Sequence, residues 1–126
     1  RRDFQIALAA SLVAMTGTAG AGGSLDGTWV LVEVGGKSVS ADAGRVPSFS
    51  ISGNDITGFD GCNQFGGRLD RPGEIVSTRM ACSGDYIALP LDLPDVGAHL
   101  NKATRSGDLL NFPASGGFPA SVFKRG

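Results

Sequence analysis

The two cysteines of the chain, Cys62 and Cys82, are the residues whose chemistry is easiest to interpret. They are symmetric about Pro72, and the Pro72-Gly73 pair is typical of a chain reversal. Antiparallel strands that meet at such a reversal hold the two side chains opposite or nearly opposite each other, within reach of a disulfide. The C-x-x-C of a redox pair is absent, and two cysteines with one histidine fall short of a four-ligand zinc site. We therefore predict a structural disulfide, with free thiols and a catalytic or metal role as the alternatives.

Few other residues offer catalytic chemistry. His99 is the sole histidine, and no G-x-S-x-G motif or equivalent nucleophile elbow accompanies it. A nucleophilic triad is therefore not predicted, and His99 is expected to be a surface or half-buried helix residue. The remaining acidic candidates lie in predicted turns, where carboxylates usually accept local hydrogen bonds: Asp55, Asp60, Asp70 and Glu74. We expect no enzymatic activity, no metal and no cofactor, and hydrolysis by a carboxylate pair is the alternative.

Charge and length narrow the classes of function. The 126 residues carry 11 Lys+Arg against 12 Asp+Glu, a formal net charge of -1. This balance provides no basic surface for a phosphate backbone, so no nucleic-acid partner is predicted. A chain of this length is typical of one domain, and we expect a monomer. Its 20 glycines, about twice the usual share, are typical of short strands joined by tight turns.

Residues 1–21 have the pattern of an export signal. Arg1-Arg2 precede an apolar stretch over 4–15, and small residues follow up to Ala21, after which cleavage is expected. The apolar stretch would form about 18 Å of helix, too short for a hydrocarbon core of about 30 Å, so no membrane span is predicted. The start also resembles the twin-arginine motif R-R-x-F, and the general export route explains the same residues. No cysteine near the cleavage site offers a lipid anchor, so we expect a periplasmic or secreted protein in an oxidising compartment.

Hairpins dominate the pattern of the mature chain, and the clearest covers residues 49–59. A two-residue turn after Ser52 sets its register, in which Ser52 faces Asp55. In the same register Ile51 faces Ile56, so apolar residues meet apolar ones and polar residues meet polar ones. This is the register expected for burial of one face.

A strand is predicted over 28–34, where three valines alternate with Trp29 and Leu31. Because both faces carry large apolar residues, we expect this strand to be buried on both sides. Further reversals are predicted at Gly35-Gly36, 69–73 and 113–119.

Only one segment has a helical pattern. Pro94 suits a first helical turn, and Val96, Leu100 and Ala103 recur at helical spacing, so a short helix is predicted over 94–104. About six to eight short strands with one short helix predict a mainly β fold. We expect the sheet to curl into an antiparallel β-barrel, because closure removes exposed edges.

Five short motifs occur in a fixed order along the mature chain. They are Gly27-Thr28-Trp29, Gly36-Lys37, Pro47-Ser48-Phe49, Gly61-Cys62-Asn63-Gln64-Phe65 and Thr78-Arg79-Met80-Ala81-Cys82. The set resembles the META domain, or HslJ-like, family over residues 24–126. The resemblance implies a small lipocalin-like β-barrel with one helix packed on it. It also implies an exported or envelope-associated bacterial protein, of a family with members linked to the stress response and with no established enzymatic activity.

Asn63 and Arg79 are polar residues that flank apolar positions next to the two cysteines. We predict that they line a small binding surface beside the disulfide. The alternative for Asn63 is a hydrogen bond to the backbone of a turn. The alternative for Arg79 is neutralisation of Asp60 or Asp70.

The function predicted from these features is that of a non-catalytic exported module that binds an unknown protein or cell-envelope component. One alternative is a small-ligand carrier, in which aromatic residues line the interior of the barrel. The other is an inhibitor of an envelope hydrolase, which would present Phe118 on an exposed loop over 113–119.

Overall fold

A computed structural model describes residues 25–40, 45–82 and 86–126. The predicted signal peptide, residues 1–21, lies outside these ranges. The described part contains nine strands and one α-helix. They are β1 (Gly27–Val34), β2 (Lys37–Ser38), β3 (Ser48–Ser52), β4 (Asp55–Phe59), β5 (Gln64–Arg68), β6 (Val76–Ser77), α1 (Val96–Leu100), β7 (Thr104–Ser106), β8 (Leu109–Phe112) and β9 (Ser121–Arg125).

The strands form one antiparallel sheet in the order β6-β5-β4-β3-β1-β9-β8-β7, with β2 paired to the end of β1. The mainly β class and the single short helix are as predicted. β6 and β7 are the two ends of this order and do not pair with each other in the described part, so the predicted lipocalin-like barrel is not closed. β6 is only two residues long. A few residues after β6, Cys82 is bonded to Cys62. No long strand is therefore available to join the two edges.

The hairpin of β3 and β4 has the predicted register. Ser52 pairs with Asp55, and Ile51 pairs with Ile56. Gly53 opens the turn with a φ of 61°, a left-handed conformation that glycine adopts without steric cost. Because both isoleucines are buried, the turn chemistry and the burial of one face select the same register.

The strand β1 is fully buried on one face only, which corrects the prediction of burial on both. Trp29 and Leu31 are buried, whereas Val30, Val32 and Val34 are half-buried. The buried leucines of the segment between β6 and β7 belong to the same cluster as Trp29 and Leu31. This segment therefore covers the face of the open sheet that carries the tryptophan.

The helix is shorter than predicted. Pro94 lies in the first turn of a 3-10 helix over Leu93–Asp95, and α1 continues from it only as far as Leu100. Hydrogen bonds between residues three apart then close the helix end, and β7 begins at Thr104. The predicted span of 94–104 is therefore wrong at its end. Ala103 is buried at helical spacing from Leu100, but it lies in the turn between α1 and β7.

Aromatic side chains fill the core beneath the sheet. Trp29, Phe49 and Phe123 have no exposed surface. The Phe123 ring packs edge to face against Phe49 at 5.0 Å and against Phe112 at 5.5 Å between ring centroids. Trp29, Phe49, Phe112 and Phe123, which would line a ligand cavity in the alternative of a small-ligand carrier, thus occupy the interior themselves.

Candidate functional site

The predicted disulfide is present: Cys62 and Cys82 are bonded, with their Cα atoms 5.9 Å apart. The symmetry of the two cysteines about Pro72, which suggested the bond, differs slightly from the register of β5 and β6. β5 and β6 pair Phe65 with Ser77, and this register places Met80, not Cys82, opposite Cys62. The Cys62 Sγ lies 3.4 Å from the Met80 carbonyl oxygen. The disulfide therefore fastens the chain just beyond the end of the β5–β6 ladder.

The side chain of Asn63 extends this ladder by one step. Its Oδ1 accepts hydrogen bonds from the Met80 N–H at 2.6 Å and from the Thr78 hydroxyl at 2.9 Å. Its Nδ2 donates to the Met80 carbonyl oxygen at 3.3 Å. The carboxamide thus offers Met80 one acceptor and one donor, as the backbone of a neighbouring strand would. Asn63 thus bonds the backbone of Met80, which lies after β6 and not in a turn as its alternative role had it, and its part in binding stays a prediction.

Residues 76–80, here called the edge segment, have peptide groups that alternate in direction. The Thr78 N–H donates to β5 at 2.9 Å, and Met80 bonds the carboxamide described above. In an antiparallel ladder, the peptide groups of alternate residues point to opposite sides. The N–H and C=O groups of Ser77 and Arg79 therefore point away from β5, and within the described ranges nothing bonds to them. The edge segment is an unpaired edge of the sheet.

Two exposed apolar side chains lie on the edge segment. Val76 is 70% exposed and Met80 is 59% exposed. Val76 pairs with Gly66, which has no side chain to cover it. The opposite edge of the sheet, β7, contains the same three residue types as residues 77–79, a serine, a threonine and an arginine, but no apolar residue. The two edges therefore differ in chemistry.

Asp60 and Gly61 shape the turn that leads into the disulfide. The Asp60 carboxylate accepts hydrogen bonds from the N–H groups of Cys62 and Asn63, at 2.9 and 2.6 Å. Gly61 has a φ of 105°, and a Cβ at this position would collide with the Ile87 carbonyl oxygen. The turn therefore needs glycine at position 61, because the backbone at Ile87 lies directly against it.

Arg79 does not neutralise either of the aspartates that were its alternative partners. The carboxylate of Asp60 is bonded to the backbone, as described above. Asp70 accepts hydrogen bonds from Arg68 at 3.0 and 3.2 Å, and this guanidinium holds the pKa of Asp70 below its usual value. In the part of the chain that the structure describes, Arg79 is an exposed cation with no ion-pair partner.

The sequence around this site matches a protein-family model. The model of the META domain matches residues 23–112. The chain belongs to the META domain family. Comparison with curated proteins and with solved structures finds no match. The matched part of this META domain contains both cysteines and the whole edge segment, and it ends before β9, which pairs with β1 and β8 in the sheet.

A second candidate site is a cleft of about 390 Å³ that α1 and the β3–β4 turn help to line. Its apolar residues include Leu25, Ile51 and Leu100, and Asp70 and Asp95 also line it. The carboxylate of Asp70 is already bonded to a guanidinium. Among the described side chains, the buried polar atoms without a partner lie outside this cleft. The cleft is therefore a weaker candidate than the edge segment.

His99 is buried, with 6% of its surface exposed, and not at the surface or half-buried as expected. Its Nδ1 accepts the Asp92 N–H at 3.1 Å, and its ring packs edge-on against Phe112 and Phe118. Burial, and to a lesser degree the charge of Lys102, lowers the pKa of His99. The imidazole is therefore a neutral packing element between α1 and the loop before β9.

Across the described ranges, no group of three or more His, Cys, Asp or Glu side chains is placed to hold a metal ion. In the same part of the chain, no helix combines the length and the apolar character that a membrane span requires.

Proposed function

We propose that this META domain is a non-catalytic, exported binding module of the cell envelope. Its binding surface is the edge segment, and its partner is a protein or other envelope component. The signal pattern of residues 1–21 supports export, and an oxidising compartment keeps the bond between Cys62 and Cys82 formed.

The two exposed apolar side chains on one sheet edge, Val76 and Met80, carry the proposal. Folded domains normally cover or charge their edges, because unpaired backbone groups invite pairing with other chains. Here Val76 and Met80 remain exposed beside unpaired peptide groups. The disulfide and Asn63 hold this edge in place on the domain. An edge that is already ordered loses less conformational entropy when a partner binds, which favours a binding role.

The alternative functions have less support. A small-ligand carrier needs space in the interior, and Trp29, Phe49 and Phe123 occupy that space. An inhibitor that presents Phe118 needs this ring to project from its loop, and the ring instead packs 5.6 Å from the imidazole of His99. The histidine itself is buried and bonded to a backbone N–H, which argues against its use as a general base.

Site-specific photo-crosslinking in intact cells tests the proposed surface. A photo-reactive residue at Ala81, next to the edge segment, is expected to crosslink one discrete partner that mass spectrometry identifies. The same residue at Lys37, which is exposed at the start of β2, is the matched control, because β3, β4 and β5 separate β1 and its partner β2 from β6. Met80→Asp is expected to remove the crosslink from Ala81. Equal crosslinking from both positions, or none from Ala81, would contradict the proposal.

Mass spectrometry of the exported protein, with and without reductant, tests the proposed location. The expected mature chain begins after Ala21 and gains the mass of two hydrogen atoms on reduction, one at Cys62 and one at Cys82. Replacement of Arg1-Arg2 by two lysines distinguishes the routes: blocked export indicates the twin-arginine route, and continued export indicates the general route. A chain that retains residues 1–21 and stays in the cytosol would contradict export.

A further inference from the structure

We infer that the edge segment binds an extended segment of another protein as an added β-strand, with apolar side chains opposite Val76 and Met80 and a carboxylate opposite Arg79. This inference rests on the proposed binding function and specifies the form and chemistry of the partner. The backbone of the edge segment determines the form, and its side chains determine the chemistry.

The unpaired peptide groups require an extended occupant. Ser77 and Arg79 each direct one N–H and one C=O away from β5, at the two-residue spacing of a β-ladder. An added strand offers acceptors and donors at the same spacing, so it satisfies these groups without a change in β6. A partner helix cannot do so, because its own peptide groups bond to one another.

The side chains of an added strand alternate in step with those of the edge segment. The partner residues opposite Val76 and Met80 share one face, where apolar side chains cover the two exposed ones. The residue opposite Arg79 lies on the other face, where a carboxylate supplies the ion pair that this cation lacks in the described part. Read antiparallel to the edge segment, the partner has the order apolar, acidic, any, any, apolar.

A second copy of this chain fits the edge segment less well than a different protein. Antiparallel self-pairing centred on Thr78 would place Val76 opposite Met80 of the second copy, which covers both apolar side chains. The same register places Arg79 opposite Ser77 of the second copy, so both cations remain without a carboxylate. The charge of the edge segment therefore favours a chain that carries an acidic residue at that position.

Titration of the oxidised mature protein with two capped peptides tests this inference by NMR. The first peptide is Ser-Val-Glu-Thr-Thr-Val-Ser, and the control replaces its glutamate by lysine. We expect the first peptide to shift the amide signals of residues 76–80 with saturation and a Kd below about 1 mM. Its binding is expected to slow amide exchange at Ser77 and Arg79. The lysine peptide is expected to bind about fivefold more weakly, as for the loss of an exposed ion pair.

Two variants separate strand addition from other modes of binding. Ser77→Pro removes an outward N–H that β5 does not use, so it is expected to weaken peptide binding at least tenfold while the urea midpoint changes little. Arg79→Glu, which leaves the backbone intact, is expected to reverse the preference between the two peptides. If no signal of residues 76–80 shifts with either peptide at 2 mM (about twice the expected upper Kd), the inference is wrong.

The outcomes also distinguish this inference from the proposed function. If the crosslink at Ala81 survives Ser77→Pro, the surface binds a partner but not by strand addition. If the crosslink is absent while the first peptide binds, the inferred strand site stands and the proposed envelope function fails. Concentration-dependent self-association through residues 76–80, without a preference between the peptides, would overturn the inference in favour of a second copy.

Discussion

Removal of the disulfide is expected to destabilise the META domain without unfolding it. Cys62 and Cys82 are separated by 20 residues, and the chain-entropy model gives about 3 kcal/mol for closure of a loop of this size. Domains of this kind are typically stable by about 5–15 kcal/mol, so the loss is large but tolerable. Asn63 bonds the same segment independently of the disulfide, and it is expected to keep the edge segment in place after the bond is removed.

Urea unfolding of the variant with both Cys62→Ala and Cys82→Ala measures this loss. Trp29 is the sole tryptophan and is fully buried, so its fluorescence reports unfolding directly. With a slope of about 1–2 kcal/mol/M, the urea midpoint is expected to fall by about 1.5–3 M. Reduction of the unmodified protein is expected to give the same midpoint, and reductant is expected to leave the variant unchanged. A decrease below about 0.5 M would show that the bond constrains little of the unfolded chain, contrary to this expectation.

Three other perturbations test separate contacts. Gly61→Ala is expected to lower the free energy of unfolding by about 1–3 kcal/mol, because its φ of 105° and the crossing backbone exclude a side chain. Gly73→Ala, in open space, is the control and is expected to stay within about 0.5 kcal/mol; equal losses would contradict the account. Asn63→Ala is expected to lower the free energy of unfolding in urea by about 1–3 kcal/mol, because the Met80 backbone loses its partner. An unchanged value would show that the hydrogen bonds of the carboxamide do not contribute to stability. The burial of His99 lowers its folded pKa below the unfolded value of 6.5, so the unfolded state binds more protons as the pH falls below 6.5. The free energy of unfolding in urea is therefore expected to fall as the pH decreases below 6.5. His99→Gln is expected to remove the part of this pH dependence that comes from the imidazole. An identical dependence on pH for both proteins would contradict the burial of the imidazole.

The parts of the fold that depend on local chemistry are predictable from the sequence. The pairing of Ser52 with Asp55 follows from a two-residue turn together with burial of one face, and both signals lie within a few residues of each other. The disulfide is also predictable, because a reversal lies between two cysteines of a chain whose first residues predict export. The exact register is not, since the 3-10 helix over Pro72–Glu74 lies within the reversal and the ladder is offset from the cysteine symmetry.

The features that depend on distant segments are those that the sequence pattern misses. Whether the sheet closes depends on the meeting of β6 and β7, which are far apart in the chain, and no local pattern encodes that contact. The role of Asn63 likewise depends on Met80 lying beside it, which requires the whole β5–β6 reversal. The exposure of Val76 follows from Gly66 on the paired strand, and only a correct register identifies this pair.

Residue-resolved amide hydrogen exchange of the oxidised protein shows whether the edge segment is an ordered strand edge that has no partner on its outer side. We expect slow exchange at Thr78 and Met80, whose N–H groups bond β5 and the carboxamide of Asn63. We expect fast exchange at Ser77 and Arg79, whose N–H groups point away from β5. Equal protection at all four residues would contradict an unpaired edge, and fast exchange at all four would contradict an ordered one.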